Sequence, residues 1–270
     1  AGREDVIFAD KLNHASLNDA ALLSRAQFIR YPHCDLAALE QRLATVQARR
    51  KLVISDAVFS MEGDIAPIQR LIALCERYHA WLLLDDAHGF GVLGEQGRGS
   101  LFLPGSAHPH LPNLVYMATL GKAAGVFGAF VAAQPEVIET LIQSARSYIY
   151  TTATPPLLAH ALLTSMQLIE QDEWRREALQ RNMAQLKQGV QSLPWKLLPS
   201  NTPIQPLLTG DSAEAVRISQ ALREHGILVP AIRPPTVPQG MARLRISLSA
   251  AHRPEDVHRL TDALHELASA

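Results

Sequence analysis

Leu82-Leu83-Leu84 is an apolar run suited to a buried strand, and it ends abruptly in Asp85-Asp86-Ala87-His88-Gly89. A strand apolar on both faces belongs inside a sheet covered by helices, with its polar tail beyond the carboxyl edge. Val6 to Ala9, Phe28 to Tyr31, Leu52 to Ser55 and Leu114 to Ala118 are further strand-like runs, and helical stretches separate several of them. Leu17 to Ala26 is one such stretch. Asp35 is a candidate cap for another, in which Leu36, Leu39, Leu43 and Val46 recur at helical spacing. Asp64 and Pro67 stand near the start of a third, whose Ile68, Leu71, Ile72 and Cys75 share a face. This alternation predicts an α/β fold, a mostly parallel sheet flanked by helices.

The pattern then changes. Gly125 and Gly128 flank a bend into Ala129 to Ala132, Pro135 opens a helix reaching about Tyr148, and Thr151 to Pro156 is a loop. A helical region from Leu157 to Leu193, broken near Asp172, leads to Ile204 to Leu208, a helix over 213–225, Ile227-Leu228-Val229, an alternating strand Arg243 to Leu248 and a closing helix over 254–268. These predict a major domain over 1–172 and a small C-terminal α+β domain over 173–270. A net charge of -1 gives no attraction for nucleic acid or an anionic membrane, and no apolar run is long enough to span one. The two cysteines, Cys34 and Cys75, suggest neither a disulfide framework nor a metal cluster, which fits the reducing cytoplasm. The chain starts at Ala1 and enters a strand almost at once, so an upstream segment is expected.

Thr119-Leu120-Gly121-Lys122 follows the strand-like Leu114 to Ala118 and sets one lysine among small and apolar residues. The setting predicts a buried, nucleophilic amine. A carboxylate and a lysine at the ends of neighbouring strands are what pyridoxal 5′-phosphate (PLP) chemistry requires: an amine for the Schiff base and an acid that keeps the ring nitrogen protonated. A phosphate loop is the rival, but Tyr116 and Ala123 stand where its first glycine and its hydroxyl belong. In a PLP site Asp85 would bond the ring nitrogen and His88 the phenolic oxygen, while Asp86 points the other way and is structural. Capping of the turn is the alternative for either acid; an Asp85-Asp86-His88 metal site lacks a further His or Cys at a matching spacing. His14 either stacks on a pyridine ring or is structural. Ser60 is a turn residue or a ligand, and Thr119 caps its turn or meets a phosphate. Arg243 and Arg245 share a strand face; Arg243 is read as solvated, whereas Arg245 is either solvated too or a clamp for a substrate carboxylate. Thr236, in Arg233-Pro234-Pro235-Thr236, offers a fixed hydroxyl or is part of a stiff connector. His108, His110 and the charged stretch 170–181 read as surface.

The set Lys11 to Leu17, Val58 to Asp64, Asp85 to Gly89, Gly94 to Gly99 and Thr119 to Lys122 resembles the α-oxoamine synthases over nearly the whole chain. These are fold-type-I PLP enzymes that join an amino acid to an acyl thioester with loss of carbon dioxide. The resemblance implies that Lys122 carries the cofactor, Asp85 pairs with its ring nitrogen, His88 touches its phenolic oxygen, and His14 stacks on it and meets the substrate. It implies Ser60 and Thr119 as further cofactor ligands, Thr119 at the phosphate, and Thr236 and Arg245 as substrate ligands. Ile232 to Pro238 with Ala242 to Arg245 is similar to the branch that joins L-alanine to a pimeloyl thioester of CoA or acyl carrier protein; sister branches use glycine or serine with another acyl-CoA. A homodimer with sites at its interface is also implied. Two departures stand out. Family members carry a substantial segment before the equivalent of Asp10, with a glycine-aromatic pair near the cofactor phosphate, which makes a truncated, non-catalytic chain the rival from another class. Ala123, Ala124 and Phe127 replace residues commonly glycine or smaller, and Asp56 stands where Glu is usual.

Overall fold

The computed structural model describes residues 1–106 and 112–269, so the surface histidines His108 and His110 lie outside the described residues. The chain forms two compact units, Ala1–Phe59 with Ile65–Gln171, and Ser60–Asp64 with Asp172–Ala270.

The first unit runs β1 (Val6–Asp10), α1 (Ala15–Leu23), β2 (Gln27–Tyr31), α2 (Leu36–Thr45), β3 (Lys51–Asp56), α3 (Ile68–Arg77), β4 (Trp81–Asp85), β5 (Leu114–Thr119), β6 (Ala129–Ala132), α4 (Pro135–Ser144), α5 (Arg146–Ile149) and α6 (Pro156–Gln171). Its described strands lie in the order β2-β1-β3-β4-β5-β6, parallel except for the last pair. The connection from β5 to β6 is too short for a crossover, so β6 returns antiparallel. Asp35 caps α2 by accepting from Ala38 N at 2.9 Å. Leu39 and Leu43 of α2, Leu71 and Cys75 of α3, and Val6, Phe8, Val53, Leu82 and Leu84 of the strands make one buried cluster. The single helix expected from Pro135 to Tyr148 is two, because Ala145 takes an extended conformation (ψ 105°) between α4 and α5.

The second unit contains α7 (Glu173–Gly189), β7 (Lys196–Leu197), β8 (Ile204–Gly210), α8 (Ser212–Glu224), β9 (Ala231–Ile232), β10 (Ala242–Ser247) and α9 (Pro254–Ser269). Its strands form an antiparallel sheet in the order β7-β8-β10-β9. Two sequence expectations change here. Ile227-Leu228-Val229 is not a strand: Val229 packs into the core while its carbonyl accepts from Ser219 Oγ at 2.6 Å, so the apolar run signalled packing rather than pairing. Arg243 is not solvated either. It sits on β10, an inner strand, with 2% of its side chain exposed, because residues 60–64 lie over that face and supply acceptors for its Nη1. No described helix is long and apolar enough to cross a membrane.

Candidate active site

The carboxyl ends of β1, β3, β4 and β5 are Asp10, Asp56, Asp85 and Thr119, so the parallel sheet gathers polar groups along one edge. Asp56 and Asp85 are register neighbours on β3 and β4. Asp85 is buried and its Oδ1 accepts from Ala87 N at 3.0 Å. Burial raises its pKa, against which the Ala87 hydrogen bond and the charges of Lys122 and His14 pull down. Asp56 is pushed up to about 7, chiefly by burial and further by Asp85, while the His14 amide and the charge of Lys122 oppose the rise. The amine, the imidazole and two buried acids therefore stand within electrostatic reach of one another.

The loop after β1 is fixed by an interlock. His14 N donates to Asp56 Oδ2 at 2.6 Å, Asp56 N donates to Asn13 Oδ1 at 3.1 Å, and Asn13 Nδ2 donates to Ile54 O at 2.9 Å. The His14 ring is left exposed, with Nδ1 2.8 Å from Ser16 Oγ. Lys122 corrects the sequence reading. It is exposed, not buried, because the loop between β5 and β6 turns outward through Gly125 N to Lys122 O (2.9 Å), and of residues 121–125 only Ala124 is buried.

Asp86 faces away from this edge into the interior. It accepts from Ser100 N and Ser100 Oγ, both at 2.6 Å, and from Tyr116 Oη at 2.8 Å. Burial lifts it to about 6, with these donors opposing. Gly89 must be glycine, since a Cβ there would lie 2.1 Å from Asp86 Oδ1 and 2.3 Å from Ser100 Oγ. His88, half-buried, occupies the intervening turn. Thr119 Oγ1 is buried and has no hydrogen-bond partner among the described residues.

Ser60, Thr236 and Arg245 belong to the second unit. Arg245, half-buried, donates from Nε to Ser60 O at 2.6 Å and from Nη1 to Ser247 Oγ at 3.0 Å. Burial lowers its pKa. Thr236 is exposed, its amide bonded to Arg233 O at 3.0 Å. The structure thus brings Lys122, Asp85 and His14 together in one unit, and Ser60 with Arg245 in the other.

Asp10, Asn13, Ser100 and Tyr116 were not among the sequence candidates. Asp10 had a visible signal, being an acid at the end of a strand like Asp56 and Asp85. With His33 and Cys34 it offers ligand atoms within 4.8 Å of one another. Its oxygens already accept from Leu12 N (2.8 Å) and Cys34 N (2.7 Å), and Oδ1 lies 3.0 Å from His33 Nδ1, which makes it a loop clamp.

An orphaned hydroxyl at a strand end asks for an acceptor such as a phosphate oxygen. A buried acid beside an amine asks for a cationic ring nitrogen and a carbonyl. The donor set fits PLP.

The family described as aminotransferase class I and II matches residues 1–264. The 8-amino-7-oxononanoate synthase of Nitrosomonas eutropha is 72% identical over 267 residues, which are 99% of this chain and 69% of that protein. The serine palmitoyltransferase structure of Sphingomonas wittichii matches with a TM-score of 0.91 at 33% identity, over 98% of this chain and 67% of that one. The serine palmitoyltransferase structure from S. paucimobilis, with a bound PLP-myriocin aldimine, gives 0.91 at 28% identity, over 98% and 67%. The chain spans about two thirds of the length of each.

Proposed function

Because the chain belongs to the aminotransferase class I and II family, and to the 8-amino-7-oxononanoate synthase group within it, we propose that it condenses L-alanine with a pimeloyl thioester. The products are 8-amino-7-oxononanoate, carbon dioxide and the free thiol of CoA or acyl carrier protein, in biotin biosynthesis. The observation that carries the reading is the buried carboxylate of Asp85 at the carboxyl end of β4, beside β5, whose following loop carries Lys122.

PLP, when bound, supplies a sink for the electrons left at the α-carbon of the amino acid. Asp85 holds the proton on the ring nitrogen, and a carboxylate this buried makes that ion pair strong. Lys122 Nζ would hold the cofactor and, as a free amine, would take the α-proton of the amino acid. His14 would stack its exposed ring on the cofactor, and Asp56 keeps that loop in place through the His14 amide. His88 would hold the phenolic oxygen, and Thr119 Oγ1, buried without a partner among the described residues, would donate to the phosphate. Ser60 as a cofactor ligand, and Thr236 and Arg245 as substrate ligands, rest on the residue-by-residue resemblance. The same reading makes the protein a cytoplasmic homodimer; the free thiols of Cys34 and Cys75 support the first part, and exposed Leu141, Ile149, Leu157 and Leu163 on α4–α6 support the second.

The test has two arms. Borohydride reduction of the PLP-loaded protein is expected to fix the cofactor on Lys122 as a secondary amine, with Lys122→Ala showing no label and no multiple turnover. Paired assays with L-alanine, glycine or L-serine against pimeloyl and other acyl thioesters are expected to favour alanine with pimeloyl. Label on another lysine, turnover by Lys122→Ala, or a preference for glycine or serine would refute the reading.

A further inference from the structure

Residues Ser60–Asp64 form a strap that belongs to the second unit although it is read out of the first half of the chain. Side chains grip it at three points. At its far end Gly63 O accepts from Ser200 Oγ at 2.7 Å and Thr202 Oγ1 at 2.9 Å. Gly63 itself has φ +72°, and a Cβ there would stand 2.2 Å from Ile204 O, so only glycine lets the strap lie this close. In the middle, Arg243 Nη1 donates to Met61 O at 3.0 Å and Glu62 Oε1 at 3.2 Å, while its Nε donates to Met241 O at 3.0 Å. At the near end Arg245 Nε donates to Ser60 O at 2.6 Å.

A guanidinium 2% exposed is costly unless its donors find acceptors, and the strap supplies two of the acceptors of Arg243, Met61 O and Glu62 Oε1, beside Met241 O. Arg245, two residues along the same face of β10, also reaches the strap but is half-buried where Arg243 is buried. Its Nε and Nη1 are occupied by Ser60 O and Ser247 Oγ, but Nη2 makes no hydrogen bond among the described residues. Ser60 O and Ser247 Oγ anchor the guanidinium on Nε and Nη1, which leaves Nη2 to an anionic oxygen.

We propose that Arg243 is a positioning residue for amino-acid binding: it fixes the strap, and the Ser60 carbonyl in turn fixes Arg245 so that Nη2 meets the substrate carboxylate. This rests on the assignment of that carboxylate to Arg245 in the proposed function. Arg243 touches neither substrate nor cofactor, so its loss falls on amino-acid affinity rather than on the chemical step.

The experiment uses the full-length PLP-loaded protein and its cofactor-free form. L-Alanine affinity is read from spectral titration of bound PLP, and strap anchoring from cleavage by a Glu-specific protease after Glu62 in the cofactor-free form. Arg243→Met is expected to weaken alanine binding about tenfold, the loss of one charge-assisted hydrogen bond, with kcat within about threefold and the PLP spectrum unchanged. Cleavage after Glu62 is expected to speed up by a similar factor, and Arg243→Lys, which keeps the charge beside Glu62, to recover part of both. Should Arg243→Met fail to fold, Arg243→Lys carries both readouts, and Glu62→Gln, which removes the cleavage site, carries alanine affinity alone. Faster cleavage with unchanged alanine affinity overturns the proposal, as does weakened affinity with unchanged cleavage. Arg245→Met separates the layers: it is expected to lose alanine binding, and if it does not, the carboxylate assignment itself has failed.

Discussion

Asp56→Asn is expected to stabilise the cofactor-free first unit at alkaline pH while leaving it nearly unchanged near pH 4. In the folded chain the carboxyl titrates at about 7 instead of the ordinary 3.8, because burial disfavours its charge. Between those values the unfolded chain has released the proton and the folded chain retains it, so stability falls as pH rises across that window and the full penalty is reached above about 7. At roughly 1.4 kcal/mol per pH unit the penalty amounts to about 4 kcal/mol at pH 8 and about 1.5 kcal/mol at pH 5. Asparagine removes the charge and keeps an oxygen for the His14 amide, so the 2.6 Å hydrogen bond survives. Urea titrations at pH 4.5, 6 and 8, read by hydrogen exchange of β3 and β4 peptides, report this unit alone. The advantage of the variant must grow with pH. A pH-independent difference, or a variant less stable than the parent at pH 8, would refute the argument that burial dominates at Asp56.

Thr119→Val removes a hydroxyl with no internal partner, so the cofactor-free chain should keep its stability within about 0.5 kcal/mol, whereas PLP affinity should drop about tenfold. Thermal melts and PLP titration check the two halves; a destabilised cofactor-free chain would show that the hydroxyl serves the fold. Asp86→Ala leaves the donors of Ser100 and Tyr116 buried without an acceptor and should cost about 3–5 kcal/mol, against about 1–2 kcal/mol for Tyr116→Phe. Denaturant titration of both variants decides this, and a loss under 1 kcal/mol for Asp86→Ala would contradict it. The Cys75 thiol, buried and pushed up to about 12, should react with thiol reagents at pH 8 only when the chain opens, after half-buried Cys34. Mass spectrometry of a labelling time course gives the order.

Much of the first unit was legible because its signals are local. An apolar run ending in an acid marks a covered strand and its carboxyl end, and Asp35 before a helical repeat marks a start. What stayed hidden depends on distant residues. Arg243 reads as an alternating-strand cation facing water; its burial is set by acceptors 181 and 182 positions away. The interlock of Asn13, His14 and Asp56 joins the loop after β1 to the end of β3, about forty residues apart, with no periodicity to betray it. Small neighbours around Lys122 suggested an interior, yet small residues also permit an outward turn, and the turn prevailed. Apolar Ile227 to Val229 looked like a strand because the pattern registers hydrophobicity, not where a carbonyl finds its donor.

The placement of Ser60–Asp64 bears on how the protein is made. Gly63 emerges from the ribosome long before the hydroxyl of Ser200, which lies 137 positions later. At roughly 5–20 residues per second the wait is on the order of ten seconds, during which this stretch dangles beside whatever has already collapsed. Conversely, a fragment starting at Asp172 would carry the Arg243 cation into its interior with nothing to neutralise it, so the later half depends for its completion on five residues translated first.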